Sequence, residues 1–185
     1  GHTVGWLNQV EVEKRPIYPA IPEIRERVGD ARADWMLKPR NLVVFPNMQI
    51  ADATALLLRT FRPLAPDCTE MQVRCLAPIG EPPAQRAWRL RQFEDFFNAS
   101  GFATPDDTVV YEECQTGFSA LPLEWLQGYG RGMATIEPGA NELARNLGIE
   151  PVASLHGGYR VQNEVLYHPM YREWARLIEC GLAGR

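Results

Sequence analysis

Two runs in the middle of the chain, Thr54 to Pro63 and Thr69 to Ala77, restrict its fold more than any other feature. Leu64 to Cys68 lie between them, and Pro66 and Asp67 there supply turn chemistry, so the pair reads as a β-hairpin. In the second run Met71, Val73, Cys75 and Ala77 fall on one face while Gln72 and Arg74 fall on the other. That alternation belongs to an antiparallel sheet with one face on a core and one in water. Gly1 to Val10 reads as a further strand. Asn41 to Pro46 reads as a buried strand that runs through Pro46 into a polar turn near Asp52.

Helical spacing dominates the rest. Ile21, Ile24 and Val28 mark a short helix over Pro22 to Val28 that stops at Gly29. Pro82 and Pro83 launch a helix from Ala84 to Asn98, with Ala87, Leu90, Phe93 or Glu94, and Phe97 predicted on its inner face. A second helix opens at Thr104 and runs to Gln115; after a Gly-rich loop, Gln127 to Met133, a short helix is expected over Asn141 to Leu147. The last helix runs toward Cys180 with Gly181 as its cap. Met170, Tyr171, Trp174, Leu177 and Ile178 lie on one side of it, and its Met170, Trp174, Leu177 and Ile178 face is predicted to pack on the sheet. Pro169 is either its first residue or a kink in a helix that began near Asn163. Strands first and helices after them predict an α+β fold rather than alternating βαβ units.

At 185 residues the chain reads as one domain, with 45% hydrophobic and 23% charged residues. No apolar run is long enough to span a membrane and no signal-peptide pattern occurs, so no membrane association is expected and the expected compartment is the cytoplasm. Net charge is −4, and the basic residues form no tract that would recognise nucleic acid. Cys68, Cys75, Cys114 and Cys180 form neither a CxxC pair nor a disulfide framework and are expected as free thiols. His2, His156 and His168 lie too far apart for a zinc motif.

The segment Arg91 to Gln115 carries the chemistry. Pro105 falls in the first turn of the helix predicted to start at Thr104, and Asp106 and Asp107 lie beside the positive end of its dipole. Thr104 and Asp107 also have the spacing of a capping box, so local chemistry alone explains the acid without any ligand.

Within that segment FFNASGFATPDD (Phe96 to Asp107) resembles the iron-carboxylate segment of the large (alpha) subunits of Rieske-type aromatic-ring-hydroxylating dioxygenases. NLVVFPN (Asn41 to Asn47), LLLRTFRPLAPDCTE (Leu56 to Glu70) and LYHPMYREW (Leu166 to Trp174) resemble the same family in the same order. The resemblance implies a helix-grip fold, a curved antiparallel sheet covered by helices with a long C-terminal helix. It implies that Asp107, the second acid of the pair, binds mononuclear Fe(II) and is the catalytic residue, with two histidines completing a facial triad. By motif position Phe97, Phe102 and Ala103 would line the substrate pocket, with core packing an equal reading for Phe97. Val44, Phe45 and Asn47 would border the pocket on a weaker warrant.

The family's histidine ligands and the CxH and CxxH of a Rieske 2Fe-2S cluster have no counterpart in these residues. Residues 1–185 are therefore expected to be the C-terminal part of the catalytic domain, inactive alone. His2 reads as a strand or pocket-rim residue, and no role falls to His156 or His168. The implied reaction is cis-dihydroxylation of an aromatic ring with O2 and electrons from NADH, passed by a reductase or ferredoxin through the Rieske cluster. The implied partners are other alpha subunits in a trimer and, in some relatives, a beta subunit. Two readings compete: a metal-free helix-grip module that binds a ligand, and a related Rieske monooxygenase or demethylase.

Overall fold

The computed structural model describes residues 1–120, 128–155 and 163–184. One antiparallel sheet organises them, with β1 (His2–Trp6), β2 (Arg40–Val44), β3 (Met48–Asp52), β4 (Leu56–Ala65) and β5 (Cys68–Cys75) paired in chain order. The predicted hairpin forms, and its strands run closer to the turn than expected, leaving only Pro66 and Asp67 between them. Asn41 to Asp52 departs from expectation. It is not one strand running on through Pro46 but a hairpin, β2 and β3, turned at the cis Phe45–Pro46 bond. Pro46 lacks an amide hydrogen and cannot continue a ladder, so the chain reverses there.

Register places the residues that matter. Ala51 pairs with Leu57 and Leu57 with Cys75, while Gln49 pairs with Arg59 and Arg59 with Val73. Opposed residues share a face, so all of these point to one side of the sheet. Leu57 is fully buried, and Ala51 and Phe97 join it in a core flanked by Ala53, Val73, Phe93 and Phe96.

Six helices accompany the sheet among the described residues: α1 (Ile21–Val28), α2 (Asp30–Met36), α3 (Pro83–Phe96), α4 (Thr104–Phe118), α5 (Glu142–Leu147) and α6 (His168–Leu182). A small second sheet pairs β6 (Ile136–Pro138) with β7 (Ala153–Leu155). α3 and α4 lie on the face that carries Leu57 and Arg59. Leu166, in the 3₁₀ turn before α6, comes to that face at Gly5, where an added Cβ would stand 3.3 Å from its side chain. α6 itself packs over β1. The result is an α+β helix-grip arrangement, as the resemblance implied.

On the opposite face Asp52 accepts hydrogen bonds from both Arg15 and Arg40, and Arg15 also donates to the Ala53 carbonyl at 2.8 Å. These bonds tie the excursion between β1 and β2 to the sheet. Arg40 also stands over the Trp35 ring, which meets Trp6 edge-on.

Two helix faces and one helix end differ from expectation. In α3 Ala87 and Leu90 are exposed and Arg89 is buried, because Arg89 pairs with the buried Glu81 carboxylate at 2.6 Å and turns that side inward. Gly181 lies inside α6, whose C-cap is Ala183. Tyr171, Trp174, Leu177 and Ile178 do not pack on the sheet: they are 39–57% exposed, and the main meeting of α6 with the sheet is at β1. Pro169 stands in the first turn of α6 rather than at a kink.

Candidate metal centre

The loop from Phe96 to Thr104 folds back on the end of α3 and caps carbonyls at that helix's end. Phe102 N–H donates to Asp95 O at 2.8 Å and Ala103 N–H to Phe96 O at 2.9 Å. Gly101 is required because an added Cβ would meet Phe96 O at 2.7 Å. The Thr104 hydroxyl donates to Phe97 O at 2.7 Å, and α4 then begins with Asp107 N–H bonded to Ala103 O at 3.0 Å. This closed loop sets Asp107 one turn into α4, above the Arg59 side of the sheet.

The capping box predicted for Thr104 and Asp107 does not form. Ala103 occupies the N-cap position without a side-chain cap, and Thr104 is buried with its hydroxyl turned back to the loop. The Asp107 carboxylate accepts no hydrogen bond from any described residue. Its nearest charged partner is Arg59, with Nη1 3.9 Å from Oδ2. The Asp107 side chain is 45% exposed while that of Arg59 is 5% exposed. One turn further along, burial first and then the Asp107 carboxylate hold the Tyr111 phenol above its ordinary pKa, with Tyr167 also raising it and Arg59 opposing.

The proposed pocket residues are spread more widely. Phe97 is buried in the core, edge-on to Phe96 with ring centroids 4.9 Å apart and with the Arg59 guanidinium over its ring. Ala103 is half-buried beside Asp107, whereas Phe102 is 82% exposed. Val44 pairs with His2 and Met48 and by register lies on the face opposite Arg59. Phe45 sits in the β2–β3 turn, and Asn47 lines a shallow hollow with Thr60, Phe61 and Gln72. His2 is an exposed residue of β1, His168 Nε2 lies 2.6 Å from Tyr129 O, and His156 falls outside the described residues.

Arg59 and Thr104 were not among the expected site residues. Their signal in the sequence is weak: an arginine at an inward position of an alternating strand, and a threonine that reads as a cap.

The donor chemistry fits one arm of a two-histidine, one-carboxylate iron site. Asp107 offers oxygen donors that neither a cap nor a hydrogen bond claims, at a half-exposed position. No group of three possible ligands occurs among the described residues, so the imidazole arms have no counterpart there.

Residues 6–180 match the family Ring hydroxylating alpha subunit (catalytic domain). The chain is 35% identical over 183 residues to the 2-halobenzoate 1,2-dioxygenase large subunit of Burkholderia cepacia, covering 98% of this chain and 38% of that protein. It is 37% identical over 175 residues to the toluate 1,2-dioxygenase subunit alpha of Pseudomonas putida, covering 94% of this chain and 37% of that protein. The anthranilate 1,2-dioxygenase large subunit of Acinetobacter baylyi is 38% identical over 184 residues, again covering 98% of this chain and 38% of the relative. The chain thus spans under two-fifths of these relatives' length. With nearly all of its residues matched, the chain belongs to the ring-hydroxylating alpha subunit (catalytic domain) family.

Proposed function

We propose that this chain is the C-terminal part of the catalytic domain of a terminal oxygenase that cis-dihydroxylates an aromatic ring, with Asp107 as the carboxylate ligand of mononuclear Fe(II). The observation that carries the reading is the freedom of Asp107. The capping role that would explain an acid at this spacing is absent, and its oxygens remain open to a ligand. The helix dipole alone would favour an acid here, but it makes no use of the open carboxylate oxygens.

Iron held by Asp107 and two imidazoles from elsewhere in the subunit would supply open positions for dioxygen beside the ring. The arene, O2, NADH and a proton give the cis-dihydrodiol and NAD⁺, with both electrons entering through a Rieske cluster outside this chain. Asp107 holds one arm of the metal, and the closed Phe96–Thr104 loop keeps that arm in place. The substrate class is an aromatic carboxylic acid, since the three relatives are named for halobenzoate, toluate and anthranilate. Other alpha subunits, with or without a beta subunit, and a reductase or ferredoxin complete the assembly. The compartment is the cytoplasm; among the described residues no helix is long and apolar enough to cross a membrane.

The test is Asp107→Ala in the full-length oxygenase. Mononuclear iron is lost and the absorbance of the Rieske cluster stays. Full iron and turnover in that variant would remove Asp107 from the site, and product analysis of the parent enzyme separates dihydroxylation from monooxygenation or demethylation.

A further inference from the structure

Arg59 is a buried cation whose partners all stand at long range. Nη1 lies 3.3 Å from Gln49 Oε1 and 3.9 Å from Asp107 Oδ2, Nη2 lies 3.5 Å from Thr104 Oγ1, and Nε is covered with no hydrogen bond at all. A guanidinium has five N–H donors, and burying it without strong acceptors is costly. By contrast, Arg89 holds the buried Glu81 carboxylate at 2.6 Å and Arg15 holds Asp52. Packing alone does not account for the difference, since an apolar side chain would fill the space above Phe97 at lower cost.

Two of the three acceptors near Arg59, Thr104 and Asp107 itself, lie at the start of α4. Gln49 is the neighbour of Arg59 on β3, Thr104 closes the loop that starts α4, and the Phe97 ring lies beneath the guanidinium at 5.7 Å. We propose that Arg59 is the positioning residue for Asp107: it faces Oδ2 from the sheet and limits the carboxylate's rotation about its side chain. The inference rests on Asp107 being the iron ligand. Groups that hold a metal ligand from behind commonly set metal affinity and activity by about 10- to 100-fold.

The experiment compares Arg59→Gln, Arg59→Lys and Asp107→Ala in the full-length oxygenase. It measures mononuclear iron retained against a chelator, the electron paramagnetic resonance spectrum of that iron loaded with nitric oxide, and kcat and KM for the arene. Arg59→Gln is expected to retain iron about 10- to 100-fold more weakly and to show an altered spectrum with Rieske absorbance unchanged. Its kcat falls while KM moves little. Arg59→Lys keeps the charge but not the fork and should fall between; if the glutamine variant does not fold, the lysine variant's spectrum decides. Wild-type iron affinity and spectrum in the folded Arg59 variants, with Asp107→Ala iron-free, would overturn the proposal and leave the ligand standing. Iron retained in Asp107→Ala would overturn both.

Discussion

Spaced three apart at a helix start, Thr104 and Asp107 carry the signature of a reciprocal cap, yet the Thr104 hydroxyl bonds to Phe97 O and Asp107 is left with Arg59. The tertiary loop out-competes the local motif because its bond is made at a buried site, where an unmet carbonyl costs most. The tyrosines around this region provide a further test. Burial first raises Tyr111, Tyr167 and Tyr171; Asp107 adds to Tyr111, and Glu164 adds to Tyr167 and, through a hydrogen bond, to Tyr171. A phenol with a raised pKa keeps its proton in the folded chain after the unfolded chain has lost it. Its contribution to stability is therefore intact below about pH 10 and is lost as pH rises from there toward the folded value. Tyrosinate absorbance should develop above pH 10 in the folded protein, and Tyr171→Phe should remove one of the raised phenols. Ordinary titration of all three near pH 10 would contradict this.

Among the elements, α6 separates sequence pattern from packing most clearly. Its apolar stripe is strong enough in sequence to predict a buried helix, and yet Trp174 is 57% exposed. Periodicity reports that a helix has an apolar face; it does not report which surface covers that face. Trp174→Ala should lower the stability of this polypeptide by less than about 1 kcal/mol, as for a surface site. Leu57→Ala, which opens a cavity in the sheet core, should cost about 3 kcal/mol or more. Urea denaturation midpoints measure both, and a Trp174 loss as large as that of Leu57 would mean that α6 is packed in solution.

For the whole molecule, 13188 Å² of surface is accessible, against roughly 9,000 Å² for a compact monomer of this mass. Exposed apolar residues account for part of the excess, with Val109, Val110 and Phe118 on α4 adding to those on α6. The sheet and the Phe96–Thr104 loop place one carboxylate, Asp107, at the proposed site, and no three possible ligands gather among the described residues. The 185-residue polypeptide should retain little Fe(II) after dialysis and show no NADH-dependent oxygen uptake with a reductase present. A polypeptide that also carries the histidine ligands and the Rieske domain should do both. Stoichiometric iron in the short chain would point to a different site.

The sequence alone determined the main hairpin, the helix start at Thr104, those at Ile21 and Pro83 to within one residue, and the family, because turn residues, alternation and an ordered motif are local properties. It did not determine α2, β3, or the β6–β7 sheet, whose strands of three residues are too short to show a period. Nor did it show that Arg89 would turn inward or that Thr104 would release Asp107. Those outcomes depend on partners distant in the chain: Glu81 for Arg89, and Arg59, 48 residues before Asp107, for the carboxylate. Only the register of β3, β4 and β5 brings Gln49 and Arg59 to one face beneath the start of α4, and register is a property of paired strands rather than of any one of them.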